Sequence, residues 1–384
     1  MNDKINNHPL FSIAFRPMFI LCALQAVIIP TFWISIYFNY LSFKGNIFTA
    51  ASWHAHEMVF GFVLSLIAGF LLTASSHWTN KPAFSGRPLV LLSAFWIIER
   101  VAVCIPMNRP LAVILMQPFI LYFIYLAWQM LKDNPKNRNI FMTILSLFFI
   151  TKSLMIYGHL DNAIELAILA RDFAIILSLI LIVIIAGRLF PFFTKSRIKD
   201  ANINVPSIIN TLSIASCIAL LAPKQFISAE FFTLINIVGF IFNSLRLAFW
   251  KPWRATSQPL LMCLHLGYLW IPIYFLMNAS LFWFPEVNFS LAPLHAYATG
   301  ALSAIALAML YRVGLGHTGR DLILSKLGYA AFLSLHLGAL IRVIVPVFWP
   351  QHYMESLHHA SGWWTLAFIF YLWEFIPYFW KKRS

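Results

Sequence analysis

Residues 53–75 read WHAHEMVFGFVLSLIAGFLLTAS, from Trp53 to Ser75, with Glu57 as the single formal charge and no proline. A helix of this length runs about 35 Å, enough to cross the roughly 30 Å hydrocarbon core of a bilayer. In lipid the backbone has to satisfy its own hydrogen bonds, so an isolated run of this kind folds as an α-helix. Two imidazoles, His54 and His56, stand at its start with one residue between them. The stretch therefore sets the fold class and opens the question of chemistry.

The same character extends in both directions. Of the 384 residues, 61% are hydrophobic and only 10% are charged, against about 25% charged in soluble proteins. That excludes a soluble enzyme and a disordered chain. Further apolar runs lie at about 17–38, 88–106, 109–131, 139–158, 162–190, 205–222, 228–249, 258–280, 291–311, 322–347 and 359–380, which with 53–75 predicts an all-α integral membrane protein, a bundle of about twelve transmembrane helices. The first run is long and is followed by no small-residue cleavage site, so it is expected to stay as a span. The whole of 1–384 reads as a single polytopic membrane domain.

Charge orients the bundle. With the N-terminus and every even-numbered loop on one side, twenty of the 27 Lys and Arg fall there, among them Arg16, Arg246 and Arg312, against Lys44, Arg109 and Lys224 on the other. Loops rich in Lys and Arg stay inside, which predicts that both termini are cytoplasmic. The basic residues sit in small groups at the ends of apolar runs rather than on one polar face, so the excess of positive charge reflects topology and not nucleic acid. Cys22, Cys104, Cys217 and Cys263 have no CxxC or CxxCH spacing and read as packing residues rather than a zinc, disulfide or c-type haem framework.

Ionisable groups inside spans are costly, about 2.5–3.5 kcal/mol each at a helix centre. Glu99, Arg100, Lys152, Arg171, Asp172, Arg342 and Glu374 sit in or near apolar runs. They read either as paired structural charges or, for Arg100, Arg171 and Arg342, as cations that neutralise an anion held in the bundle, such as a haem propionate.

The twelve histidines are the chemical signal in so apolar a chain. At 100° per residue His54 and His56 point about 200° apart, so one helix is expected to serve two centres rather than one shared metal. Met58 and Gly61 follow on the His54 face and read as a thioether ligand with room beside it for a flat macrocycle, or as plain packing residues. Glu57 reads as an acceptor for a ligand's ring N–H or as a capping carboxylate. His54, His56, His295, His358 and His359 are expected at the outer ends of their helices, His265 in the inner half of its own, and His336 within helix 11. His77, His159, His352 and His8 read as interfacial. Imidazole with or without methionine suits haem iron and copper, while a site without cysteine disfavours zinc and iron–sulfur. The cofactor-binding candidates are thus His54, His56, His265, His295, Met58, Arg100, Arg171 and Arg342; the metal candidates are His54, His56, His265, His295, His358 and His359.

Phe15-Arg16-Pro17-Met18-Phe19, the WHAHEM string at 53–58, Gly69–Ala74 with Trp78-Thr79, Leu264–Trp270, and the GHTGR string at Gly316–Arg320 together resemble the NnrS family, in order, from about residue 10 to 375. The resemblance implies a bacterial inner-membrane protein of twelve helices, carrying haem and copper and linked to nitric oxide metabolism and nitrosative-stress resistance. It covers His54, His56, Glu57, Met58, His265, His295, His317 and Arg320, and leaves His336, His358 and His359 outside the motifs. Met18 stands where an aromatic is usual, and Ser75-Ser76-His77 precedes Trp78, both departures from the pattern. The glycines around His317 read as a turn between helices 10 and 11 or as a site for an anion or a partner.

Three functions are open at this stage. The first is a haem–copper protein in the lipid bilayer that binds or processes nitric oxide or a related small ligand. The second is a reductase of oxygen or nitric oxide resembling the haem-copper oxidases, which calls for an electron donor outside the chain. The third is a cofactor-free transporter or membrane sensor.

Overall fold

The computed structural model describes residues 8–43, 45, 47–198, 202–284 and 291–381. Of the charges counted for orientation, Lys4, Lys44, Lys199, Lys382 and Arg383 lie outside the described residues. Within them the regular structure is helical: α1 (Phe15–Tyr37), α2 (Ala50–Thr79), α3 (Arg87–Cys104), α4 (Arg109–Leu131), α5 (Pro135–Leu160), α6 (Ile164–Arg197), α7 (Ser207–Ala219), α8 (Ala229–Phe249), α9 (Pro259–Ser280), α10 (Ala292–His317), α11 (Lys326–Phe348) and α12 (Tyr353–Phe379).

Among the described residues nine of these, all but α3, α7 and α12, are long and apolar enough to cross a membrane. The expectation of twelve spans is met in part. Helix α3 is 18 residues long and carries Arg87, Glu99 and Arg100. The 13 residues of α7 reach only about 20 Å, and α12 carries Glu355, His358, His359 and Glu374.

Helix ends follow ordinary capping. Thr49, Asn108, Ser228 and Ser325 each accept a backbone N–H two or three residues into the helix they open. Prolines stand in the first turns of α3, α4, α5 and α9, where the missing N–H costs nothing. The turn expected between helices 10 and 11 at the glycines around His317 begins after that residue: α10 continues through Gly314 and Gly316 to His317, and the positive φ of 81° falls at Gly319.

Two helices change their winding. Glu57–Val63 of α2 and Ala296–Leu302 of α10 are π-helical, seven residues each. One starts directly after His56 and the other directly after His295. Gly61 and Gly300 each lie five residues past that histidine. A Cβ on Gly61 would meet Gln25 of α1 and stand 2.9 Å from the Arg100 guanidinium; one on Gly300 would sit in the Trp270 ring of α9.

The chain divides into two compact units. The first comprises Met1–Leu177, His317–Arg320 and Leu372–Ser384; the second comprises Ser178–Gly316 and Asp321–Tyr371. Three basic residues counted as loop charges are in fact buried: Arg16 in the first unit, Arg246 and Arg312 in the second. Arg16 donates to the carbonyls of Pro9 (3.0 Å), Phe379 (3.2 Å) and Lys381 (2.8 Å), capping the end of α12.

Candidate functional site: buried imidazoles and two charge systems

In the first unit the π turn sets the geometry. A π turn takes in an extra residue, so side chains beyond His56 rotate away from the positions that 100° per residue assigns. Gly61 faces Gln25 of α1 and Arg100, the side on which Glu57 lies. His54 stacks on Trp33 of α1, with ring centroids 4.8 Å apart at 20°. His56 points elsewhere, between Phe48 (4.8 Å) and Phe60 (5.1 Å). Met58 is half-buried.

His56 is fully buried, with Nδ1 2.9 Å from Glu57 Oε1. Its Nε2 has no hydrogen-bond partner among the described residues and lies 4.0 Å from Glu99 Oε1. An imidazole whose Nδ1–H is held by a carboxylate presents Nε2 as a basic, oriented lone pair, the arrangement common to metal-binding histidines.

Around it stands a closed set of charges. Glu57 Oε2 accepts from Gln25 Nε2 at 2.8 Å and lies 2.8 Å from Arg100 Nε. Arg100 Nη2 donates to Glu99 Oε1, and Lys152 donates to the same oxygen and to the Met116 carbonyl. Two buried carboxylates thus face two cations, and a neutral His56 leaves the cluster without net charge. This pairing spans α2, α3 and α5, which is why spacing along one helix does not reveal it. Arg171 is half-exposed and pairs with its neighbour Asp172 at 2.7 Å. Elsewhere in this unit the His77 and His317 rings lie 5.8 Å apart, with Phe15 5.4 Å from His317; only the GHTGR string points to His317 in the sequence.

In the second unit His265 is 2% exposed, and neither ring nitrogen has a hydrogen-bond partner among the described residues. Its walls are the rings of Phe190 (5.8 Å) and Trp250 (6.3 Å). His336 accepts from Trp270 Nε1 at 3.4 Å and has Nε2 unpartnered. His295 is half-buried with Nδ1 2.8 Å from the Leu291 carbonyl, a contact that fixes the orientation of the ring. His358 and His359 are exposed, their rings edge to face at 6.0 Å. Arg342 is buried with its guanidinium 5.5 Å from the Tyr353 ring.

Among the described residues no three His, Cys, Asp or Glu side chains converge as a metal-holding group. Haem asks less of the protein, since one or two axial ligands suffice. His265 and His56 both fit that demand, each being a buried imidazole with an unpartnered nitrogen.

Apolar membrane-crossing helices with oriented imidazoles buried among them define a multi-pass helical membrane protein. The family model described as NnrS protein matches residues 9–383, so the chain belongs to the NnrS family. Membership implies a nitric-oxide-related membrane protein from a family associated with haem and copper. Comparison with curated proteins returns no match.

Proposed function

We propose that this is a bacterial inner-membrane protein of twelve spans with cytoplasmic termini, which holds haem and copper and binds or processes nitric oxide or its products, contributing to nitrosative-stress resistance. The observation that carries the reading is His265. An imidazole sealed among aromatic rings with both nitrogens unpartnered forfeits hydrogen bonds that water would supply, a penalty of about 1–3 kcal/mol per group. A ligand on Nε2 removes that penalty.

When bound, haem iron or copper supplies an open coordination position for a diatomic gas. The chain supplies the rest. His265 would hold the group through a ring nitrogen, and Phe190 and Trp250 exclude water from it. Glu57 fixes the ring orientation of His56 by holding its Nδ1. The Glu57–Arg100 and Glu99–Lys152 pairs keep that neighbourhood neutral, so a gas without charge meets no electrostatic barrier. His54 and His295 are the next ligand candidates. His358 and His359 rank last because their rings are exposed, and Arg342 ranks above Arg171 as an anion partner because it is buried.

Haem quantified as pyridine haemochrome in the purified protein, with the Soret band recorded before and after nitric oxide, tests the proposal. Wild type is expected to carry haem whose band shifts with the gas, and His265→Ala to lose it. A colourless wild type overturns the reading.

A further inference from the structure

We propose that the polar cluster around Arg246 in the second unit is a binding site for a small oxyanion group, the chemistry shared by a carboxylate and by free nitrite. Arg246 stands in the last turn of α8 and is 2% exposed. Its Nε donates to Asn210 Oδ1 at 2.9 Å, and its Nη1 donates to the Val183 carbonyl at 2.9 Å and to the Tyr268 hydroxyl at 3.2 Å. Tyr268 in turn donates to Asn243 Oδ1 at 2.7 Å, and Asn243 Nδ2 donates to the Gly239 carbonyl at 2.8 Å. Every acceptor in this chain is neutral.

Among the described residues no carboxylate lies within ion-pair distance of the guanidinium, and its Nη2 has no hydrogen-bond partner. Arginine keeps its charge when buried, and a buried ion without a counter-ion is costly. The fold nevertheless makes room for it. Nη2 occupies the place that a Cβ on Gly187 of α6 would take, so glycine there is what admits the guanidinium.

The same environment holds His265. The guanidinium carbon lies 5.3 Å from the centre of the Trp250 ring, which also flanks the unpartnered imidazole. In the first unit Arg100 has Glu57 and Glu99; here no described residue supplies the negative charge. With Nε and Nη1 already donating, the N–H groups left on Nη2 suit a charged oxygen acceptor, which is why the ligand class is an oxyanion. The carboxylate could belong to a cofactor seated on His265, and on that arm the inference rests on the haem reading; on the nitrite arm it stands alone.

The test uses purified full-length protein, titrated with sodium nitrite by calorimetry, with haem per polypeptide measured in wild type, Arg246→Gln and Tyr268→Phe. If the site takes free anion, wild type binds nitrite saturably, Arg246→Gln weakens it at least tenfold, and haem content does not change. If a cofactor carboxylate fills it, wild type binds no nitrite and Arg246→Gln loses at least two-thirds of its haem. Tyr268→Phe keeps the cation and frees one of its bonds, so it moves the same quantity by a smaller factor and carries the comparison if Arg246→Gln does not fold. A wild type that binds no nitrite, with haem content equal in every variant, overturns the proposal. A colourless protein that binds nitrite through Arg246 keeps this inference and removes the haem reading.

Discussion

Arg100 and Lys152 in the first unit lie against Glu57 and Glu99, while Arg246 in the second lies against Asn210, Tyr268 and a main-chain carbonyl. Both arrangements bury cations among packed helices, and they balance the charge differently. The first closes on itself, and its product is a neutral setting that holds the His56 ring by Nδ1. The second is left positive, beside an imidazole with no partner. The first unit uses its carboxylates for internal order, and among the described residues the second has none beside its cation.

Stability measurements break or sharpen this contrast. The largest effect is expected from removing one member of the neutral cluster. Glu99→Gln leaves Lys152 buried without its carboxylate and is expected to cost about 3–5 kcal/mol, read as thermal unfolding in detergent. Combining it with Lys152→Met restores most of the loss; equal losses in the single and double variants would show that the charges are not coupled.

Next come the two glycines of the π segments. Gly61→Ala pushes a methyl group into Gln25 and the Arg100 guanidinium, and Gly300→Ala into the Trp270 ring. Each is expected to destabilise by about 1–3 kcal/mol through overpacking. Gly300→Ala should be the worse of the two, because an indole yields less than a long polar side chain. The same unfolding assay compares them.

Arg246→Met strands no opposite charge but leaves acceptors such as Asn210 Oδ1 without their donor, so it is expected to cost about 1–3 kcal/mol in ligand-free protein, less than Glu99→Gln. A loss as large as that of Glu99→Gln would mean that Arg246 is paired as tightly as the first cluster.

The smallest effect belongs to an exposed pair. Lys81 Nζ lies 2.7 Å from Asp133 Oδ2, and its hydrogen bond holds the Asp133 carboxyl below the usual range. A lowered folded-state value means stabilisation present above the ordinary carboxyl range near pH 4 and lost as pH falls through the folded value. Lys81→Ala is expected to leave unfolding at pH 7 nearly unchanged and to flatten only the acid limb, since exposed pairs are well screened.

These contrasts also mark what the sequence discloses. Helices stand at every predicted apolar run because lipid leaves the backbone no alternative, and the signal is averaged over twenty residues. The two π segments leave no mark in the sequence, since hydropathy stays constant through them. Arg246 reads as a loop charge because it stands near a helix end, where a snorkelling cation and a buried one have the same spacing; only the neighbours from α6, α7 and α9 tell them apart. The Glu99–Lys152 pair is likewise invisible to spacing, being 53 residues apart. The imidazoles were legible as candidates from their rarity in an apolar chain, and Glu57 as the acceptor for a neighbouring ring from its adjacency to His56. Which histidines lack a partner emerges only from the packed aromatic walls.

The measurement that bears most directly on the account is the optical and electron paramagnetic spectrum of wild type, His56→Ala and His265→Ala, each with haem and copper counted per polypeptide. The account predicts that wild type carries both and that the two variants lose different signals. Wild-type spectra from both variants, or a wild type free of haem and copper, would contradict it.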